Sequence, residues 1–449
     1  MSNISDQTRD MTTGSPAKLL LKFALPLMLG NICQQLYTIV DTAVVGKFVG
    51  VEALASLGAA DWLNWMVLST VIGFTQGFSI PAAQRFGAKD MESLRKTCGA
   101  SYILTAIIAV ALTIVGQLGM RPMLKLLRTP ENVVAGTETY LRIMFASIVV
   151  IAGYNILAAM LRALGDSKTP LIAMIVSAAI NVVLDIIFVV PLKGGIAGAA
   201  IATVMAQCVS FLWCLRAILK IKFLKLNRSH LTLERGVVYS LFKLGTPLAL
   251  QNIIIAVGGL AVQYVINGFG FIFLAGFTAT NKLFGLLDLA ATAFGFSIMT
   301  FAGQNMGANQ FGRIKKGVRA ALAMALSTSA VISAVVIIFG RQIVSIFISA
   351  APETAHQVTE IAYEYLSLMG VFLSILYSLH IHRSTLQGMG DTITPMASGI
   401  IELIMRILSA IFLPLMFGPS AIFYAEILAW VGAVVILTAK YQLRIRKLT

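Results

Sequence analysis

The chain has 449 residues, of which 58% are hydrophobic and 12% are charged, and its mean hydropathy is +0.87. Soluble globular domains are about 45–50% apolar and about 25% charged, so this composition excludes an ordinary soluble enzyme and also a disordered chain. The 34 Lys and Arg residues against 19 Asp and Glu give a net charge of +15, which in a soluble protein would indicate nucleic-acid binding. What the positive charge binds therefore depends on where in the chain it lies.

Long apolar runs follow one another along the whole chain. A helix that crosses a bilayer needs about 20 mostly apolar residues, and these runs are too long and too weakly alternating for membrane strands. The runs predict an all-α integral membrane protein with twelve transmembrane helices, at about 19–44, 53–78, 97–120, 138–160, 170–192, 196–219, 241–266, 271–299, 317–340, 361–382, 394–415 and 419–440.

The basic residues are distributed unevenly between the two sides of these spans. With the N-terminus inside, 25 of the 34 basic residues fall in inner segments, which is the asymmetry of the positive-inside rule. We therefore predict a multi-pass protein of the inner (plasma) membrane with both termini in the cytoplasm. Its partners would be the lipid bilayer and small molecules, with no nucleic acid.

The two halves of the chain resemble each other. The segment 82–88 (AAQRFGA) returns as 302–308 (AGQNMGA), and the GDxxTP pattern of 165–170 returns at 390–395. Matches in the same order at nearly one offset indicate duplication. Because each half has six spans, both halves enter from the same side, and the repeats are parallel. The predicted organisation is a cytoplasmic segment, a first six-helix lobe, a cytoplasmic linker, a second six-helix lobe and a cytoplasmic tail, at 1–17, 18–220, 221–240, 241–440 and 441–449.

A two-lobed bundle with parallel repeats around a central cleft suits alternating access, in which the cleft opens to one side and then to the other. A duplicated scaffold or a channel is the alternative. The repeated GDxxTP element is consistent with a tight helix–turn–helix, because Gly can end one helix while Asp, Thr and Pro favour the start of the next.

Two carboxylates lie inside spans that carry no other charge between their flanking lysines, namely Asp41 in the first span and Asp185 in the fifth. At 1.5 Å per residue their depths differ by about 3 Å, in the outer half of the first lobe. An ionisable residue at such a position indicates a functional site. The alternative is that each aspartate is interfacial and extends outward to water.

Polar residues lie on the matching faces of these and neighbouring spans. Asn181 and Thr203 are candidate partners of the carboxylates, and the candidates for a substrate cavity or for support are Gln34, Tyr37, Tyr154 and Asn155. Two carboxyls close together in a dry lobe cannot both ionise cheaply, so one would hold a proton. The same oxygens, with Asn181 and Thr203, would also suit Na⁺.

The second lobe lacks this acidic pair. By the repeat, Asp41 corresponds to Val262, Asp185 to Ala410 and Asn181 to Arg406, so the architecture alone does not require the pair. Glu402 and Arg406 are four residues apart and are predicted to pair. The charged residues of the second lobe that rank below the acidic pair as cavity candidates are Lys282, Asp288, Glu402, Arg406 and Glu426. The four histidines form no metal motif, and His380 and His382 fall on different helix faces.

These features resemble the multidrug and toxic compound extrusion (MATE) family over about residues 15–445. The resemblance rests on Pro26, the run from Gln34 to Gly46 with Asp41, the two doubled motifs, and the Asn181–Asp185 pair with Thr203. It implies twelve helices in two lobes around a central cleft, and export of organic, often cationic compounds in exchange for H⁺ or Na⁺. In the DinF-like branch the cation site is formed by residues that match Asp41, Asn181, Asp185 and Thr203, with Gln34 and Tyr37 beside them. The carboxylate that the NorM-like branch uses in the seventh helix has no counterpart in 244–266.

The sequence therefore predicts a secondary efflux antiporter that acts as a monomer, uses no cofactor beyond the coupling ion and is not an enzyme. The abundant Met and Phe, 19 and 25 residues, would suit lipophilic cations. The alternative function is a flippase for lipid-linked saccharides from the same wider superfamily, which Lys282 and Arg406 leave open.

Overall fold

The computed structural model describes residues 8–126, 129–346, 348 and 352–448. Within these ranges the chain forms thirteen α-helices and no strand. In chain order they are α1 (Pro16–Phe48), α2 (Val51–Gly87), α3 (Met91–Leu126), α4 (Glu131–Ala146), α5 (Ile148–Ala163), α6 (Lys168–Val189), α7 (Gly195–Lys220), α8 (Arg235–Ile266), α9 (Phe271–Gly307), α10 (Phe311–Ser345), α11 (Pro352–Gly388), α12 (Ile393–Phe417) and α13 (Tyr424–Leu448).

In the described part of the chain, eleven segments are long and apolar enough to cross a membrane, and the bent pair α4–α5 counts as a twelfth when it is taken as one span. The all-α membrane fold with twelve spans is thus confirmed. The predicted fourth span, 138–160, is the bent pair, in which the two helices meet at 49°. The break lies at Ser147, whose hydroxyl donates to the carbonyl of Met144 at 2.7 Å. A serine that bonds back to its own helix backbone bends the helix.

The chain forms two compact units. The first contains residues up to Asp10 and Leu25–Ala249, and the second contains Met11–Ala24 and Leu250–Thr449. The sequence lobes, drawn from span positions alone, have different bounds, because the segment 11–24 groups with the second unit.

Side chains of the second unit hold this early segment by its backbone. The N–H of Met11 donates to Gln304 Oε1 at 2.8 Å, and Asn305 Nδ2 donates to the Met11 carbonyl at 3.1 Å. Further along, Ser297 Oγ donates to the Leu20 carbonyl at 2.9 Å. Two of these donors and acceptors belong to the second copy of the repeated motif, 302–308, which therefore binds a backbone segment distant in sequence.

The repeated turns confirm the helix–turn–helix interpretation. Gly165 and Gly390 adopt φ of +85° and +83°, a left-handed conformation that glycine accepts without strain. Asp166 Oδ1 accepts the backbone N–H of Thr169 at 2.9 Å, and the threonine hydroxyl donates to Asp166 Oδ2 at 2.5 Å. Asp391 receives the same two hydrogen bonds from the threonine of its own copy. Each aspartate therefore caps the helix that follows its turn.

In the first unit, two serines join α6 to α7. Ser177 Oγ donates to the Ala206 carbonyl at 2.7 Å, and Ser210 Oγ donates to the Ala173 carbonyl at 3.3 Å. Both bonds follow one antiparallel register, which fixes the height of each α6 residue against α7.

In the second unit, α9 and α11 run parallel and are joined by side-chain hydrogen bonds. Thr280 Oγ1 donates to the Ala362 carbonyl at 2.8 Å, and the Tyr377 hydroxyl donates to the Leu287 carbonyl at 2.9 Å. Near one end, Tyr365 stacks on Phe423 with ring centroids 4.6 Å apart. The two hydrogen bonds join α9 and α11, the helices that carry Asp288 and His380.

Candidate functional site

The structure brings Asp41 of α1 and Asp185 of α6 together in the first unit. Their carboxyl groups are close enough to interact directly and to repel each other electrostatically. Asp185 has 0% of its surface exposed, and Asp41 is partly buried. The matched depths of the two aspartates along their spans thus correspond to a close approach in the folded chain.

Three of the four carboxyl oxygens of this pair, and both polar atoms of the Asn181 side chain, are buried without hydrogen-bond partners among the described residues. They are Oδ1 of Asp41, both carboxylate oxygens of Asp185, and both the oxygen and the nitrogen of the Asn181 amide. Asn181, one helical turn from Asp185, is buried as well. A buried polar group left unpaired costs about 1–3 kcal/mol. The four oxygens among these atoms are poised to bind a small cation, and the carboxylate oxygens are also able to share a proton.

Further polar side chains surround the carboxyls. Tyr37 interacts electrostatically with Asp41 and with Asp185, and Tyr140 of α4 interacts with both as well. Asp61 of α2 repels Asp41. Tyr140 and Asp61 are absent from the sequence prediction. Asp61 is the only charge in the predicted span 53–78, so the rule that selected Asp41 also applies to it.

Thr203 lies on α7 at the height of Asn181. The register of Ser177 with Ala206 and of Ser210 with Ala173 continues along α6 and α7 to that level. The Thr203 hydroxyl donates to the Ala199 carbonyl within its own helix at 3.1 Å. Because the hydroxyl proton is used in this bond, the lone pairs of the Thr203 oxygen remain available to accept a hydrogen bond or to ligate a cation.

The remaining first-lobe candidates lie on α1 and α5. Gln34 is exposed, and its side chain is within hydrogen-bonding reach of Tyr37. Tyr154 packs against the buried hydrophobic cluster of the first unit and interacts electrostatically with Tyr37. Asn155 donates to the Ile151 carbonyl at 2.9 Å, which binds it to its own helix. Gln34 and Tyr154 therefore adjoin the carboxyl pair through Tyr37.

In the second unit, the predicted pairing of Glu402 with Arg406 is wrong. Glu402 instead forms a salt bridge with Arg383 of α11, and Arg406 Nη2 bonds Glu426 Oε2 of α13 at 2.7 Å. Spacing along α12 permitted the predicted pair, but each residue meets an opposite charge on a neighbouring helix. Arg406 still feels the charge of Glu402 as a weaker interaction.

Of the other two second-lobe candidates, Asp288 has a charged or polar partner and Lys282 is exposed. Asp288 Oδ1 lies 3.0 Å from His380 Nε2, and Asp288 Oδ2 accepts from the Thr292 hydroxyl at 2.9 Å. Lys282 is exposed and belongs to none of the ion pairs formed by the described residues. His380 is thus a further residue that the sequence prediction left out, since its partner lies on another helix.

Comparison with known proteins agrees with this architecture. The MatE family model matches residues 26–187 and 247–412. The chain is 30% identical over 335 residues to the probable multidrug resistance protein YoeA of Bacillus subtilis, covering 73% of this chain and 72% of that protein. It is 31% identical over 341 residues to the probable multidrug resistance protein YpnP of the same organism, covering 76% of each.

The fold matches a solved transporter along nearly its whole length. The outward-facing conformation of a multidrug resistance MATE family transporter of the MOP superfamily aligns with a TM-score of 0.92 at 21% identity, covering 100% of this chain and 99% of that one. The predicted class, a multi-pass membrane transporter and not an enzyme, is confirmed. The chain is a member of the MatE family, the multidrug and toxic compound extrusion (MATE) transporters.

Proposed function

We propose that this MATE transporter is a secondary antiporter that expels organic, often cationic and lipophilic compounds in exchange for an inward-moving cation. The cation binds at Asp41 and Asp185, with Asn181 and Thr203 completing the site. One observation carries the proposal: two carboxyls interact directly with each other while three of their four oxygens are buried without partners among the described residues.

A proton fits this arrangement best. When both carboxyls are ionised, two negative charges face each other in a poorly screened environment. A proton on one carboxyl removes the repulsion and donates a hydrogen bond to the other. The alternative ion, Na⁺, would require oxygens from Asn181 and Thr203 as well, because it prefers a shell of several oxygen ligands. The proton proposal needs only the two carboxyls.

The aromatic residues beside the site support a cationic substrate. Tyr37, Tyr140 and Tyr154 lie in a connected group around or next to the carboxyls. Tyrosine faces attract organic cations, and carboxylates add a negative charge. Gln34 and Asn155 would then supply polar contacts. The relatives named as multidrug resistance proteins support an organic substrate in general terms.

The structure offers little support for a flippase of lipid-linked saccharides. Such a protein would need cationic groups available to bind diphosphate, and the sequence left Lys282 and Arg406 for this role. Arg406 is held by Glu426 at 2.7 Å, so its charge is already compensated. Of those two residues only Lys282 remains exposed.

The location follows from the charge distribution. We place the transporter in the inner (plasma) membrane as a monomer, with both termini in the cytoplasm. The positive-inside asymmetry of the basic residues supports this orientation.

Ethidium efflux from proteoliposomes tests the proposal. The wild-type protein should expel ethidium under an imposed pH gradient and not under a Na⁺ gradient of equal size. Asp41→Asn and Asp185→Asn should each lower efflux driven by the pH gradient by about 100-fold. The matched control is Glu353→Gln, which neutralises an exposed carboxylate in the first turn of α11.

Three outcomes would contradict the proposal in different ways. Efflux that persists in both aspartate variants would refute the site. Efflux driven by the Na⁺ gradient alone would replace the proton by Na⁺. A protein that expels no ethidium under either gradient but flips a fluorescent polyprenyl diphosphate saccharide would support the flippase.

A further inference from the structure

The second unit contains a chain of charged side chains that joins four helices through its interior. Its members come from α9, α11, α12 and α13, and they are Asp288, His380, Arg383, Glu402, Arg406 and Glu426. None of them belongs to the site around Asp41 and Asp185.

This cluster is one positive charge short of neutrality. It has three carboxylates and two guanidinium groups, and each guanidinium has a carboxylate of its own, Arg383 with Glu402 and Arg406 with Glu426. The third carboxylate, Asp288, faces only His380 as a counter-charge at close range, with 3.0 Å between Oδ1 and Nε2. With a neutral imidazole the cluster carries one net negative charge, and with an imidazolium it carries none.

Neutrality matters in this environment. An uncompensated charge within a membrane-spanning bundle is expensive, and pairing or proton uptake removes most of that cost. We propose that His380 and Asp288 form a second proton-binding site, which takes up and releases one proton independently of the acidic pair in the first unit.

The geometry suits a proton that exchanges. The side chains of His380 and Asp288 are 21% and 32% exposed, whereas those of Arg383 and Glu402 are only 10% and 4% exposed. The Asp288 oxygen that faces His380, Oδ1, is itself buried. The His–Asp pair is therefore the more exposed end of the cluster, and a proton would reach the buried Asp288 oxygen through the imidazole. Thr292 holds the other Asp288 oxygen at 2.9 Å and so fixes the carboxylate towards the imidazole.

The helices packed around the pair bring no further free charge to it. On α9, Lys282 is exposed and lies outside the ion pairs of the described residues. On α11, Arg383 interacts electrostatically with Asp288, but it forms its salt bridge with Glu402. The Tyr377 hydroxyl donates its hydrogen bond to the Leu287 carbonyl. The charged residues of α12 and α13 that face the cluster are Glu402, Arg406 and Glu426. Those of α10 lie near its two ends, at Arg313, Lys315, Lys316, Arg319 and Arg341.

A spectroscopic test isolates this site from the one proposed above. The protein carrying Asp41→Asn and Asp185→Asn, with ¹⁵N-labelled histidine, is purified in detergent and studied by nitrogen NMR. His380 is assigned by loss of its signal in His380→Gln. At pH 7 it should show the imidazolium pattern, with both ring nitrogens protonated. Adding Asp288→Asn should convert it to the neutral pattern, because the cluster is then neutral without the proton.

His382 provides the matched control. Its Nδ1 lies 2.8 Å from the Ser378 carbonyl and its ring packs against Tyr441, away from Asp288. Its spectrum should not respond to Asp288→Asn. A neutral His380 at pH 7, or an imidazolium that survives Asp288→Asn, would overturn the proposal.

Transport stoichiometry provides the functional measurement in the otherwise wild-type protein. The number of protons moved per ethidium expelled should fall by one in His380→Arg, whose guanidinium supplies a permanent positive charge and keeps the pair with Asp288. An unchanged stoichiometry would refute exchange at this site. The double variant His380→Gln with Asp288→Asn, which keeps an uncharged hydrogen-bonded pair, should fold and show the same loss of one proton.

Discussion

The two compact units treat buried charge in opposite ways. In the first, Asp41 and Asp185 face each other with buried oxygens that have no partner among the described residues. In the second, Arg383 holds Glu402 and Arg406 holds Glu426. Carboxylates without a counter-charge need a cation from outside, whereas carboxylates bound to a guanidinium carry a tethered cation. The first unit is therefore suited to bind and release an ion.

The repeat locates where this difference arose. Asn181 in the first unit corresponds in sequence to Arg406 in the second, and Asp185 corresponds to Ala410. An amide beside two carboxylates leaves their charge uncompensated, while a guanidinium at the equivalent position neutralises a carboxylate permanently. Duplication thus preserved the helices and changed the electrostatics at one level of the bundle.

The largest expected effect is on the stability of the second unit. Arg383→Met leaves Glu402 buried without its partner, and breaking a buried ion pair in this way costs about 3–5 kcal/mol. Thermal unfolding of the detergent-purified protein measures the loss. Arg383→Met combined with Glu402→Leu removes both charges and should recover most of the stability. If the single variant unfolds like the wild type, the pair is not a structural element.

Asp185→Asn should have the opposite effect to Arg383→Met, with a large loss of transport and no loss of stability. Coupled ethidium efflux should fall by about 100-fold, which corresponds to about 2.7 kcal/mol in the barrier. The melting temperature should hold or rise, because the change removes an uncompensated buried charge. Initial efflux rates and thermal unfolding on the same preparation test both statements. A large loss of stability without loss of coupling would reverse the contrast between the units.

Asn181→Arg would give the first unit the tethered cation of the second. We expect the guanidinium to pair with Asp41 and Asp185, so that efflux driven by a pH gradient falls to background while the folded protein is retained. Asn181→Leu, an uncharged change at the same position, should lower efflux without adding an ion pair and should therefore be less stable than Asn181→Arg. Normal coupled efflux in the arginine variant would exclude Asn181 from the ion site.

The two helix-capping aspartates should differ modestly. Asp166→Ala removes an N-cap, which costs about 1–2 kcal/mol. Asp391→Ala should cost slightly more, since Asp391 Oδ2 also lies 3.3 Å from Arg444 Nη1, a partly exposed pair worth less than about 1 kcal/mol. Thermal unfolding of the two variants side by side measures the difference. Equal losses would show that the Arg444 pair contributes nothing.

The smallest effect is expected from Asp61→Asn. Asp61 is exposed and acts on the site through its charge, which interacts with Asp41 and Tyr140. Its neutralisation should change the efflux rate by less than about 10-fold, below about 1.4 kcal/mol. The pH dependence of efflux, compared with that of Asp185→Asn, is the measurement. A loss as large as that of Asp185→Asn would make Asp61 a third member of the ion site.

The sequence alone locates the carboxyl pair because each aspartate is the one charge between the lysines that flank its span. Asp61 is likewise the one charge in its predicted span, 53–78, and was overlooked. His380 is different: its significance depends on Asp288, which lies 92 positions earlier on another helix, and no spacing within one helix reveals such a partner. The mistaken Glu402–Arg406 pair has the same origin, because spacing shows which residues are able to pair and not which partner prevails.

The sequence by itself determined the membrane class, the twelve spans, the duplication, the turn chemistry and the two buried aspartates. Each of these depends on hydrophobicity, charge or capping within a short stretch of chain. The tertiary structure decided the ion-pair partners of α12, the group of Tyr37, Tyr140 and Asp61 around the carboxyls, and the assignment of residues 11–24 to the second unit. Those features depend on which helices become neighbours, and the free energy of a buried charge is set by the charges that packing brings within a few ångströms of it.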